Sequence, residues 1–446
     1  MSKMKKLICL MVLSWMVAAP GSFGQTAPQA YVPTDSNLKA RERFAGHRLG
    51  IFLTWGIYST YAQGEWYLST GKLDPEAYKE AAEGFYPVRF DATAWARAFK
   101  DAGAGYVTFV SRHHDGFALF KTAASPFNIV DGTPYGKDIT GMLTEAVKAE
   151  GMDMHIYYSI IDWCRDDYPK GNSGIEKDPA KADYNHYFEF EKAQIRELMT
   201  QYRPSAIWLD GLWDRKPGTF SWRMEELYRF IHGIDPACLV GNNHHLFPLD
   251  GEDFQMFERD LPGENKAGLS GQEVSSAMPL EMCQTMNGAW GYKIMDQKYK
   301  SVRDLVHLLV RAAAKGSNLL LNIGPQANGE LPAPALDRLK GMGAWMRVFS
   351  GTVDGTDKTA IPEQPWGVST RTATSVFLHI LAPEALPSDG KTAVLVIPFG
   401  EKVAGVTDYQ SGANRTWKAS KDGFLTISLP APDAKEIDTV LEIKLK

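Results

Sequence analysis

The chain has 446 residues and a formal net charge of −5, with 44% hydrophobic and 23% charged residues. That length holds about two or three domains. The proportions exclude a mostly disordered chain, and the acidic balance argues against nucleic acid as a partner. The biased class is aromatic, with 12 Trp, 18 Tyr and 21 Phe. Such rings fill a large core, and their faces also stack on the C–H faces of sugars.

The N-terminus reads as a targeting segment rather than as fold. Lys3, Lys5 and Lys6 form a basic stretch, Leu7 to Ala19 is an apolar run, and Ser22-Phe23-Gly24 places small residues at a cleavage site. The run is short for a membrane span. Residues 1–25 are therefore expected to be a signal peptide, and the mature protein to be exported with no membrane span. Cys9 lies inside that segment. Cys164, Cys238 and Cys283 remain, widely spaced and without a CxxC pair, so no disulfide framework is visible.

From there one pattern repeats. Near-continuous apolar runs span residues 49–55, 106–111, 154–160, 206–210, 239–243, 253–258, 280–285 and 318–323. They predict parallel strands buried on both faces. Amphipathic segments at 90–102, 139–150, 184–202, 222–232 and 301–315 predict helices; most stop at a Gly, or before a Pro. Eight strands alternating with helices predict a (β/α)8 barrel over residues 26–352, irregular between the fifth and seventh strands, where no helix is evident. Beyond it, short runs at 374–381, 392–398, 405–408, 423–429 and 440–444 are broken by Gly, Pro, Asp and Ser. These predict a C-terminal antiparallel β-sandwich over residues 353–446.

A barrel carries its chemistry at the C-terminal ends of its strands. Those ends here read Thr54-Trp55-Gly56, Arg112-His113-His114-Asp115-Gly116, Tyr157-Tyr158-Ser159, Trp208-Leu209-Asp210-Gly211, Asn242-Asn243-His244-His245 and Phe257-Glu258. Polar and ionisable groups thus converge on one face. Asp210 and Glu258, on two such ends, suit glycoside hydrolysis, in which one carboxylate attacks the anomeric carbon and the other donates and recovers a proton. The chemistry requires Asp210 ionised and Glu258 protonated near neutral pH. His113 and His114 are adjacent, so a regular strand cannot aim both the same way. No metal-ligand spacing such as HExxH is present, and hydrogen bonding to substrate hydroxyls is preferred for them over metal binding. No metal or other cofactor is expected.

Taken together the motifs resemble the retaining α-L-fucosidases of glycoside hydrolase family 29. The matching pieces are Leu49-Gly50-Ile51-Phe52-Leu53-Thr54-Trp55-Gly56, Gly64-Glu65-Trp66-Tyr67, Arg112-His113-His114-Asp115-Gly116-Phe117, Ile207-Trp208-Leu209-Asp210-Gly211, Phe257-Glu258-Arg259-Asp260, Trp290-Gly291-Tyr292 and Leu319-Leu320-Leu321-Asn322-Ile323-Gly324-Pro325. The resemblance implies an irregular barrel with a β-sandwich, a fucosylated glycan as substrate, and retention without a metal. It implies Asp210 as nucleophile and Glu258 as acid/base, with Glu281 a competing acid. It places Glu65, Trp66, His113, His114, Tyr158, Trp208 and Trp290 around the sugar, with Phe117 or Trp290 facing its methyl group. Two positions depart from the family. Thr54 stands where a His usually ends the first strand, and His244 where some members carry an Arg near the acid/base. These departures leave open a related α-L-glycosidase, such as one acting on α-L-galactosides, or an impaired glycan-binding protein.

Overall fold

All eight apolar runs form strands of a single parallel sheet: β1 (Leu49–Leu53), β2 (Tyr106–Arg112), β3 (Asp153–Ser159), β4 (Ala206–Asp210), β5 (Leu239–Asn243), β6 (Gln255–Glu258), β7 (Leu280–Thr285) and β8 (Ser317–Ile323). Their order, β5-β4-β3-β2-β1-β8-β7-β6, is that of a TIM-like near-barrel. The computed structural model describes residues 30–446, of which Val32–Lys446 form one compact unit. The expected signal peptide and Cys9 lie outside the described residues.

Side chains alternate across the strands with period two. Phe52, Tyr106, Val110, Tyr157, Trp208, Met256, Cys283 and Leu320 fill the barrel interior. Their neighbours Ile51, Leu53, Val107, Phe109, Ile156, Tyr158, Ile207, Leu209 and Phe257 face outward into the helical layer. Both faces are dry, which is why the strands read as continuous apolar runs.

Several helices begin where a capping side chain satisfies an orphan N–H. Asp91, Asp138 and Asp183 cap the helices Ala92–Asp101, Ile139–Ala149 and Tyr184–Tyr202, and Ser301 with Asp304 forms a capping box on Val302–Ala314. Each cap contributes about 1 kcal/mol. Helices Asp35–Gly46 and Ala333–Phe349, which flank the strand series, were not among the expected segments.

No helix separates β5 from β6 or β6 from β7, as the irregular pattern there implied. β5 and β6 are the two edges of the sheet. A side chain bridges them. Asp253, two residues before β6, donates its N–H to the Val240 carbonyl at 2.7 Å, and its carboxylate accepts the Val240 N–H at 2.7 Å. The same carboxylate takes Arg41 at 2.7 Å and His232 at 2.9 Å.

Past the barrel come eight antiparallel strands: β9 (Asp357–Lys358), β10 (Gly367–Arg371), β11 (Ser375–Ile380), β12 (Thr392–Pro398), β13 (Val403–Asp408), β14 (Thr416–Ala419), β15 (Phe424–Pro430) and β16 (Thr439–Leu445). They form a five-stranded sheet, β13-β16-β11-β10-β9, and a three-stranded sheet, β12-β15-β14. Val376, Leu378, Ile380, Leu441 and Ile443 of the larger sheet pack on Leu395, Ile397, Leu425 and Ile427 of the smaller. Phe377 and Val440, on its other face, join the hydrophobic core that surrounds the barrel. Cys164, Cys238 and Cys283 are buried free thiols.

Candidate active site

The C-terminal ends of the strands enclose a cavity of about 330 Å³. Asp210, Glu258, Thr54, Glu65, Trp66, His113, His114, Trp208 and Trp290 line it, together with Phe52, Tyr157, Trp213, Asn243, His245 and Cys283.

Asp210 continues the inward series Ala206–Trp208–Asp210 on β4. Its carboxylate is held at both oxygens: Trp213 Nε1–H donates to Oδ1 and the Tyr157 hydroxyl to Oδ2, each at 2.9 Å. His114 Nε2 lies 3.6 Å from Oδ2. Burial and the charge of Glu258 push the Asp210 carboxyl up to about 7, against the pull of its two donors. Gly211, which follows, has φ 131°, and a Cβ there would meet Ile160 and Ile161 side chains at 2.9 Å. Glycine is thus required here by backbone conformation and packing.

Glu258 ends β6. Asn243 Nδ2 donates to its Oε2 at 2.9 Å, His245 Nε2 lies 3.0 Å from the same oxygen, and Arg259 Nε lies 4.0 Å from Oε1. Burial raises the Glu258 carboxyl, but these hydrogen bonds and positive charges outweigh it, so it sits below the ordinary glutamate value. The order is therefore the reverse of that expected: Glu258 is the stronger acid because His245 and Arg259 lie beside it, whereas Asp210 is bonded to neutral donors.

Two neutral imidazoles form part of the polar wall. Burial, then the charge of Arg112, pushes His113 down to about 3. Burial, then His113 and Arg112, lowers His114 as well. His113 Nδ1 is buried with no hydrogen-bond partner among the described residues. His114 Nδ1 is 2.7 Å from Ser159 Oγ. Both rings line the cavity although they are adjacent, because they lie beyond Arg112, the last residue of β2, where strict alternation has ended. Glu65 accepts the Gly291 N–H at 2.7 Å, and burial raises its carboxyl. Thr54 donates to Asn322 at 2.7 Å, and Asn322 donates to the Trp290 carbonyl at 2.7 Å, so this chain orients the Trp290 loop. Trp66 packs 5.1 Å from Trp213 and 5.7 Å from His114, between ring centroids. The Arg259 guanidinium sits 4.8 Å from the Trp290 ring centre.

Four expectations are corrected. Tyr158 faces out of the barrel, where its hydroxyl donates to Gln194 at 2.9 Å; the cavity tyrosine is Tyr157. His244 turns away to Glu252, 2.8 Å from its Nε2, and His245 takes the place beside Glu258. Phe117 packs against Phe85 and Phe127 instead of lining the cavity. Glu281 lies in the barrel interior, accepting from Tyr106 at 2.5 Å and from Trp208 Nε1 at 2.8 Å, and does not line the cavity. Both tyrosine and histidine errors are shifts of one residue. Tyr157 pairs in register with the inward Trp208, which turns it into the barrel. His245 lies past the end of β5 with φ 61°, and no local pattern announces where it points.

Among the described residues, no group of three or more His, Cys, Asp or Glu side chains is placed to hold a metal ion. No helix among them is long and apolar enough to cross a membrane.

Residues 21–351 match the alpha-L-fucosidase family model. The chain is 26% identical to an alpha-L-fucosidase of Dictyostelium discoideum, over 85% of this chain and 86% of that one. It is similar to the solved alpha-L-fucosidase isoenzyme 1 of Paenibacillus thiaminolyticus, with 30% identity, a TM-score of 0.79, and coverage of 92% of this chain and 100% of that one. A Bacteroides thetaiotaomicron alpha-L-fucosidase, solved as a trapped covalent intermediate, has the same fold at 24% identity, with a TM-score of 0.80 over 94% of this chain and 98% of that one. The cavity at the strand ends thus lies in a chain that belongs to the alpha-L-fucosidase family of glycoside hydrolases.

Proposed function

We propose that this protein is an exported, exo-acting, retaining α-L-fucosidase that removes terminal α-L-fucosyl residues of glycans through a covalent intermediate on Asp210. The observation that carries the reading is that Asp210 and Glu258 line one cavity and that the charge of Glu258 reaches Asp210. The Bacteroides relative trapped as a covalent intermediate supports the same chemistry. On this reading residues 26–352 are the catalytic part, residues 353–446 the β-sandwich, and residues 1–25 a signal peptide.

Asp210 suits the nucleophile. One donor on each oxygen fixes its plane, and both donors stabilise the anion. As C1 takes on positive charge, a buried carboxylate so oriented stabilises it before bonding to it. Glu258 suits the acid/base because Oε1 has weaker company than Oε2, and the basic His245 lies within proton-transfer distance. A proton on Glu258 removes a charge that raises Asp210, so one protonation readies both groups. His113, His114, Glu65 and Trp66 supply hydrogen bonds to the hydroxyls of a neutral sugar. Phe52 and Trp290, 5.9 Å apart between ring centroids, offer the apolar wall that a methyl group needs.

The test is hydrolysis of 4-nitrophenyl α-L-fucoside by the mature protein, with Asp210→Ala alongside. Turnover that falls by about 1,000-fold or more in the variant is expected for loss of the nucleophile. A 2-fluorofucosyl fluoride should lose its anomeric fluoride and leave a 2-fluorofucosyl group on the peptide carrying Asp210. Equal turnover by the two proteins would refute the assignment.

A further inference from the structure

His245 lines the cavity beside Glu258, its Nε2 3.0 Å from Oε2. Asn243 holds the same oxygen at 2.9 Å. The titratable groups that face the imidazole are Glu258 on β6 and Asp210 on β4, and Arg259 approaches Glu258 at its other oxygen. His245 also adopts φ 61°, a left-handed conformation uncommon for a residue with a side chain.

Building on the two-carboxylate reading, we infer that His245 is a positioning residue that stores the proton Glu258 delivers to the leaving group. The imidazolium passes its Nε2 proton to Glu258 Oε2 and becomes neutral. Glu258 then gives a proton to the glycosidic oxygen as the C1–O bond breaks. The bonding electrons leave with that oxygen, and the Asp210 carboxylate forms the new bond to C1. In the second half, Glu258 takes a proton from water, whose oxygen bonds to C1 as the C1–Asp210 bond breaks. That proton then returns to His245. No net proton is gained or lost within the cluster when His245 hands over its proton.

The electrostatics fit this role. Burial works against the imidazolium, but the hydrogen bond and charge of Glu258 and the charge of Asp210 outweigh it, so the ring holds its proton above its ordinary value of 6.5. Glu258, held by His245, Asn243 and Arg259, sits below its ordinary value and is ionised at neutral pH. The store thus keeps beside Glu258 the proton that this carboxyl does not itself hold. It also explains how a site with an acidic Glu258 performs acid catalysis: the pair, not either residue, carries the proton.

The experiment compares the full chain with H245Q and H245N. Glutamine keeps a hydrogen-bond donor but cannot store a proton, and asparagine tolerates the left-handed backbone. Profiles of kcat/KM against pH are measured on methyl α-L-fucoside, whose leaving group needs protonation, and on α-L-fucosyl fluoride, whose leaving group does not. The expected result is a loss of roughly 100-fold or more on the methyl glycoside, within the range of general acid catalysis. The fluoride should stay within about threefold. The alkaline limb should move acidward by about one pH unit or more, because the remaining proton holder is a carboxyl. An active wild type whose variants keep the alkaline limb, or lose both substrates equally, would overturn the store while leaving the hydrolase reading in place. A wild type inert toward both substrates would overturn the hydrolase reading, and this inference with it.

Discussion

Glu191 offers a sharp test of the physical reasoning, because the fold buries it without compensation. It lies on the inner face of helix Tyr184–Tyr202 with no exposed surface, and neither carboxyl oxygen has a hydrogen-bond partner among the described residues. Burial raises its pKa from 4.5 to about 8, with the charge of Arg112 opposing only in part. A raised carboxyl means that the folded chain holds a proton the unfolded chain has released. The stability it permits is complete below pH 4.5 and is lost as pH rises from there toward 8. The slope is about 1.4 kcal/mol per pH unit, so at pH 7 the ionisable group costs about 3 kcal/mol. Glu191→Gln keeps the shape and removes the ionisation. Urea unfolding followed by Trp fluorescence at several values between pH 4.5 and 8 measures the difference. The variant should match the wild type near pH 4.5 and exceed it by about 3 kcal/mol at pH 7. A difference that does not change with pH, or a less stable variant at pH 7, would refute the argument.

Three further outcomes follow from the site and its frame. Tyr157→Phe removes a donor that favours the Asp210 anion; Asp210 should titrate higher, and the acidic limb of kcat/KM should move toward alkaline pH with roughly tenfold lower activity at neutral pH. Asp253→Ala leaves Arg41, His232 and the Val240 N–H without its carboxylate; it should cost about 3–5 kcal/mol in urea unfolding, as for a broken buried ion pair. Gly211→Ala forces a methyl group to 2.9 Å from Ile160 and Ile161 at φ 131°; thermal unfolding should show a loss of about 2 kcal/mol or more, and turnover should fall because Asp210 is adjacent.

What the sequence discloses depends on how strictly local geometry binds the residue. The eight apolar runs predict the eight strands because a strand buried on both faces has no polar side to show. Asp210 and Glu258 are legible because each is an acid at the end of such a run, where burial of a charge is otherwise costly. Tyr158 is misplaced by one residue because a run that is apolar on both faces does not reveal which parity points inward, and His244 because it and His245 lie past the end of β5, where alternation has ended. The protonation order was not legible at all. It depends on His245 and Arg259 lying near Glu258 in space, whereas the Asp210 donors Trp213 and Tyr157 are neutral. Strands β10 and β14 escaped notice because Ser, Thr, Arg and Lys interrupt their apolar residues.

The seam between β5 and β6 sets the two carboxylates of the proposed site on unequal footing. Asp210 stands on a strand flanked by ladders on both sides, to β3 and to β5. Glu258 stands on the sheet's last strand, which is laddered only to β7 and tied to β5 through the Asp253–Val240 bonds and the Asn243–Glu258 bond. A strand anchored along one edge opens locally at lower free energy than its interior counterparts. It also accepts changes in length and residue without dislocating the rest of the sheet. A designer relocating Glu258 can therefore rebuild the β5–β6 side. Asp210, laddered on both sides, has no comparable room to move.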